Sequence, residues 1–220
     1  MASQPASQIT LSGAYGPFRN NKSLRTALVA LLVADSMLAL LVIITNLINQ
    51  PGVLHQPDKH SVDILHWGGN IRFLVRVLAM LMFCIWVNRS CRNAWLLDPP
   101  KMKTTPAWAV GYYFIPVLSL WKPYTSMSEI RDASFGRHDK LTTLLPLWWI
   151  CWIACLALAL SHFTLSHFIH DTAVDEEALL MIHKLDTIAG AVSIVFNSLA
   201  IMLIVTITGT QHGRAAQWRS

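Results

Sequence analysis

Residues 141–163, LTTLLPLWWICWIACLALALSHF, run for 23 positions without one Lys, Arg, Asp or Glu. About 20 such residues, at 1.5 Å each, span a hydrocarbon core about 30 Å thick as a helix. Two further runs reach that length: 26–48, TALVALLVADSMLALLVIITNLI, and 185–208, LDTIAGAVSIVFNSLAIMLIVTIT. A fourth, 64–87, ILHWGGNIRFLVRVLAMLMFCIWV, is long enough but carries Arg72 and Arg76. Only 13% of the 220 residues are charged, against about 25% in a soluble domain. The expected fold class is therefore all-α: an integral membrane protein with four transmembrane helices. The expected organisation is a polar N-terminal segment over 1–24, one membrane domain over 25–208 and a tail over 209–220. No small-x-small cleavage site follows the first span, so it is expected to be an uncleaved anchor.

Basic residues give the orientation. With the N-terminus in the cytoplasm, Arg19, Lys22, Arg25, Arg89, Arg92, Lys101, Lys103, Lys122, Arg131, Arg137, Lys140, Arg214 and Arg219 fall inside. Lys59 and Lys184 fall outside. The positive-inside rule places both termini and the 88–140 connection in the cytoplasm of a cell (inner) membrane. This asymmetry also accounts for the sequence pI of 9.2, so nucleic acid is not an expected partner. The four cysteines, Cys84, Cys91, Cys151 and Cys155, form no C-x-x-C pair, which argues against a disulfide framework or zinc finger.

Within that connection, TTPAWAVGYYFIPVLSLWKPY at 104–124 is apolar and aromatic. Its apolar part, 106–121, covers only about 24 Å as helix, and Pro116 removes a backbone donor near its middle. If it crossed the membrane, Lys122, Arg131, Arg137 and Lys140 would move outside. The expectation is a non-crossing interfacial or shallow re-entrant helix between spans two and three. The alternative is a fifth span with a proline kink. Span two should continue past Arg89, Arg92 and Trp95 until Asp98-Pro99-Pro100 stops it. Pro123 should sit in the first turn of a further helix.

The stretches FCIWVNRSCRNAW at 83–95 and PAWAVGYYFIPVLSLWKPYTSMSEIRDAS at 106–134 resemble a bacterial membrane family, domain of unknown function 4328. The positions that match its pattern include Trp86, Arg89, Arg92, Asn93, Pro106, Trp108, Gly111, Pro116, Pro123, Tyr124 and Glu129. The block covers about a quarter of the chain, and the four-span layout is similar across the rest. The PPKMKTTP connection at 99–106 and the two span arginines are candidate departures. The resemblance implies a multi-span membrane protein and carries over no catalytic residue.

Charges inside spans need partners. Asp35 lies about 15 Å from the inner end of span one, and Arg76 about 17 Å from that of span two. Arg72 is one turn from Arg76 on the same face, and Asn197 lies near the middle of span four. Asp35, Arg76 and Asn197 are expected to meet. They form either a clasp that fixes packing or, with Arg72, an anion or proton path; Arg72 could instead snorkel outward. Nine histidines are present. His66, His162, His167 and His170 are weak metal candidates near the outer face, where haem ligation and pH sensing are further alternatives. No H-E-x-x-H, G-x-S-x-G or P-loop motif occurs. The reading is a non-enzymatic scaffold, accessory or sensor subunit without a cofactor. A small transporter or channel component using the Arg72/Arg76 face comes next, and a metal- or haem-binding protein third. The expected partners are anionic inner-leaflet lipid and a protein docking at Arg89, Arg92, Trp108, Lys122, Tyr124 and Glu129.

Overall fold

The structure, a computed structural model, describes residues 12–48, 59–135, 142–171 and 176–217. A two-residue ladder, β1 (Ser12–Gly13) with β2 (Gly16–Pro17), comes first. Gly16 closes it with φ +94°, a conformation that costs glycine little. The remainder is helical: α1 (Lys22–Ile48), α2 (Lys59–Leu97), α3 (Pro106–Gly111), α4 (Lys122–Phe135), α5 (Leu144–Asp171) and α6 (Glu176–Gln217). Short 3-10 turns occupy Pro99–Lys101 and Leu118–Leu120. Four helices are long and apolar enough to cross a membrane.

Proline sets several boundaries. Helix α2 ends at Leu97, since Pro99 and Pro100 offer no backbone N–H to continue its ladder. Helix α3 starts on Pro106, with the Thr105 hydroxyl accepting from the Trp108 N–H at 3.4 Å. Pro123 lies in the first turn of α4 and Pro146 in the first turn of α5, where a missing donor is harmless.

The 106–121 stretch corrects one expectation: it is not a single helix. After Gly111 the bonds tighten, with Tyr113 N–H reaching Val110 O and Phe114 N–H reaching Gly111 O, both at 3.1 Å. A turn run then leads to the Leu118–Leu120 3-10 turn. Pro116 cannot donate, and its ring would meet the carbonyl four residues back if the helix continued.

The described residues pack as two compact units. One draws on the described residues within Met1–Ala27, Met82–Pro146 and Met202–Ser220; the other on those within Leu28–Leu81 and Leu147–Ile201. The first has a dense core that includes Trp86, Val87, Met127, Ile130, Leu145, Leu203, Ile204 and Ile207. The second buries less and exposes large apolar side chains such as Met37, Phe73, Ile150 and Leu160. Such faces are a liability in water and are at home in lipid. Inside this unit α1 and α6 approach closely: a Cβ added at Gly190 would sit 3.0 Å from Ile43 Cγ1. Phe196 of α6 packs against Trp148 and Trp152 of α5, with ring centroids 6.1 and 5.8 Å apart.

Candidate functional site

In the second unit, three helices meet at Asp35, which is 4% exposed. Arg76 Nε donates to Asp35 Oδ1 at 3.0 Å. Arg72 Nε lies 3.6 Å from the same oxygen, and Arg72 Nη2 donates to Ser193 Oγ at 3.1 Å. Asn197 Nδ2 donates to Asp35 Oδ2 at 2.8 Å and to Ser36 Oγ at 3.1 Å. The carboxylate is held from α2 and α6 at once, so the cluster ties three helices together. The two arginines do not share one environment: the Arg72 side chain is covered, whereas that of Arg76 is 47% exposed. Charge-assisted bonds of this kind are stronger than neutral ones, and more so away from water.

The first unit holds a second polar assembly, built around the resemblance block. Asn93 accepts from the Arg19 N–H at 2.9 Å and donates to the Arg19 carbonyl at 2.9 Å. It also donates to Gln211 Oε1 at 3.3 Å. Gln211 is fully buried and donates to Ser90 O and Ser134 Oγ, each at 3.0 Å. Asn21 Nδ2 reaches Ser90 Oγ at 3.4 Å. One pair of side-chain amides thus links the N-terminal segment, α2, α4 and α6. Arg214 adds a clamp: its guanidinium donates to the Ala133 and Ser134 carbonyls near the end of α4 and to Leu97 O at the end of α2. A cation at helix C-termini satisfies orphan carbonyls and suits their partial negative charge.

Other block residues have equally defined places. The Trp86 indole donates to Thr208 Oγ1 at 3.0 Å. Arg92 Nε donates to Asn88 Oδ1 at 3.0 Å, and Asn88 in turn donates to Pro106 O at 2.9 Å. Glu129 Oε2 accepts from the backbone N–H groups of Lys103 and Thr104 at 3.0 and 2.8 Å. The Thr104 carbonyl accepts from the Trp95 indole at 2.9 Å. Thr104 is thereby stapled between α4 and α2. Pro123 is buried, Tyr124 and Arg89 are half-buried, and Pro116 is exposed. Gly111 sits beside the Trp108 ring, which stacks on Tyr112 at 5.4 Å; Lys122 lies over the Tyr112 ring at 5.6 Å. Trp108, Phe114, Val117, Leu120 and Trp121 are exposed, whereas Tyr113 is buried. Burial pushes the Tyr113 hydroxyl well above the ordinary phenol range, so the residue stays neutral.

Among the weak metal candidates, His162 Nε2 lies 3.2 Å from Asp186 Oδ1. The side chains of His66, His167 and His170 lie outside the described residues. Among the described residues, no three His, Cys, Asp or Glu side chains gather as a metal site would require. Sequence reasoning missed Ser36 and Ser193 in the charged cluster, and Asn21, Ser90, Ser134, Gln211 and Arg214 in the amide assembly. The available signal was small polar residues on otherwise apolar helices. It marks candidates but not their partners.

Four membrane-capable helices, a charged cluster in one unit and an amide hub in the other define a multi-span helical membrane protein. The family model of a domain of unknown function (DUF4328) matches residues 59–209. That is more than half of the chain, and the chain belongs to this family. No curated protein and no solved structure matches it.

Proposed function

We propose that this chain is a non-enzymatic scaffold or accessory subunit of a bacterial inner membrane, with both termini and the 88–140 insertion in the cytoplasm. One observation carries the reading. Polar groups of the block are engaged in bonds inside the first unit, while several of its large rings and aliphatic side chains point outward. Glu129, Asn93 and Trp86 each bond internally; Trp108, Phe114, Val117, Leu120 and Trp121 are presented on the surface. A rigid stage with an apolar, aromatic outer edge suits lipid headgroups or a protein partner. Lys122 beside Tyr112 fits an anionic inner leaflet. The broken 106–121 stretch is read as lying at that interface.

Photo-crosslinkers placed at positions 108 and 121 in intact membranes test this. One defined protein adduct supports an accessory subunit, and lipid adducts alone reduce the edge to a membrane collar. A C-terminal reporter should signal from the cytoplasm; a periplasmic signal defeats the topology. The second reading is a small transporter or channel component, favoured by the half-exposed Arg76. Solute flux from the purified chain in vesicles would establish it in place of the first. The histidine reading stands or falls on Zn, Cu, Ni and Fe analysis of chelator-washed protein, which should give substoichiometric metal.

A further inference from the structure

One guanidinium in the charged cluster is only partly paired. Asp35 faces two guanidiniums. Arg72 is covered, bonds to Ser193 and also feels the Asp186 carboxylate. Arg76 gives only its Nε to Asp35; its two terminal nitrogens meet no partner among the described residues. Phe73, Leu74, Val77 and Met80, close to Arg76 along α2, are exposed and apolar. Unmet donors on a lipid-facing surface are costly, and intramembrane charges are found paired.

We propose that this surface docks a membrane helix of another protein that carries one Asp or Glu at the matching depth. The proposal rests on the accessory-subunit reading and names the chemistry of its partner. A carboxylate is the charge complement of the half-exposed Arg76 guanidinium, and its two oxygens match the paired terminal nitrogens of the fork. A second copy docked on the same surface about a two-fold axis would bring Arg76 against Arg76, a like-charge contact in low dielectric. Lipid phosphate is out of reach. Asp35 pins the guanidinium, and it lies ten residues along α1 from Arg25, about 15 Å in helix.

The full chain in phosphatidylcholine vesicles, carrying a donor fluorophore, is mixed with an acceptor-labelled oligo-leucine transmembrane helix bearing one central Glu. The same helix with Gln is the comparison, so the unaltered chain serves for both. The Glu helix should associate about fivefold more tightly. Arg76→Gln should abolish that preference, and Arg76→Lys should keep part of it. Equal association of the two helices overturns the proposal. So does self-association of the chain that the Glu helix cannot displace. Loss of the preference when phosphatidylglycerol is included overturns it too, and assigns the surface to a lipid anion. The same vesicles report anion and proton flux. Flux from the chain alone defeats the accessory-subunit reading, whereas helix discrimination is read independently of it.

Discussion

Replacing Asn93 by Ala tests whether the buried amide hub holds the first unit together. The side chain makes three bonds: one from Arg19 N–H, one to Arg19 O and one to Gln211 Oε1. Arg19 is exposed, so its backbone groups can turn to water at little cost. Gln211 is fully buried, and its oxygen is left without a donor. A stranded buried acceptor costs about 1–3 kcal/mol, and the lost bond to Gln211 about 1 kcal/mol, which gives about 2–4 kcal/mol. Cys91 lies two residues away, is 0% exposed and belongs to the same unit. Maleimide labelling of a variant that retains only Cys91 therefore reads opening of this unit. The labelling rate should rise at least about 30-fold, the lower figure converted at 1.4 kcal/mol per decade. Adding Gln211→Ala should then cost less than Gln211→Ala does in the parent, because the bond they share is already gone, although the Gln211 bonds to Ser90 and Ser134 are still lost. A rate within about twofold of the parent, with helix content unchanged, would refute the reasoning.

Three further outcomes are expected. Asp35→Leu alone should cost about 3 kcal/mol by stranding two guanidiniums, while Asp35→Leu with Arg76→Leu should lose at least about 1 kcal/mol less than the summed singles. Membrane accumulation and unfolding in detergent measure this, and strictly additive losses would exclude a clasp. Gly190→Val should destabilise by about 1–3 kcal/mol through overpacking against Ile43, whereas Gly190→Ala should be milder because the obstacle is a side chain; a thermal midpoint unchanged in both would deny the close α1–α6 approach. Glu129→Ala strands the Lys103 and Thr104 amides and should cost about 1–3 kcal/mol; trypsin should then cut after Lys103 faster than in the parent, and an equal rate counts against the staple.

Much of the helical layout was legible in the chain because its causes are local. An uncharged apolar run must be helical in hydrocarbon, where no water satisfies the backbone. Pro99 and Pro100 stop α2, and Pro123 opens α4, by lacking a donor. The Asp35–Arg76 contact was legible for a related reason: a charge in an apolar run demands an opposite charge, and only a few positions stand at its depth. The helix lengths were not. Helix α6 runs from Glu176 to Gln217, well beyond the apolar window 185–208, and its C-terminal end is fastened by Gln211 and Arg214 to residues far away in sequence.

What the sequence alone determined, then, is the set of membrane-capable helices, the breaks between them and the charge that must be answered inside one of them. Only the tertiary structure decided that Asn93 meets Gln211 across 118 positions, that Ser193 serves Arg72, and that 106–121 folds as a short helix followed by turns. Hydropathy and proline act within a few residues, so a linear reading captures them. A hydrogen bond between distant side chains depends on which helix faces which, and that follows from packing the whole chain at once.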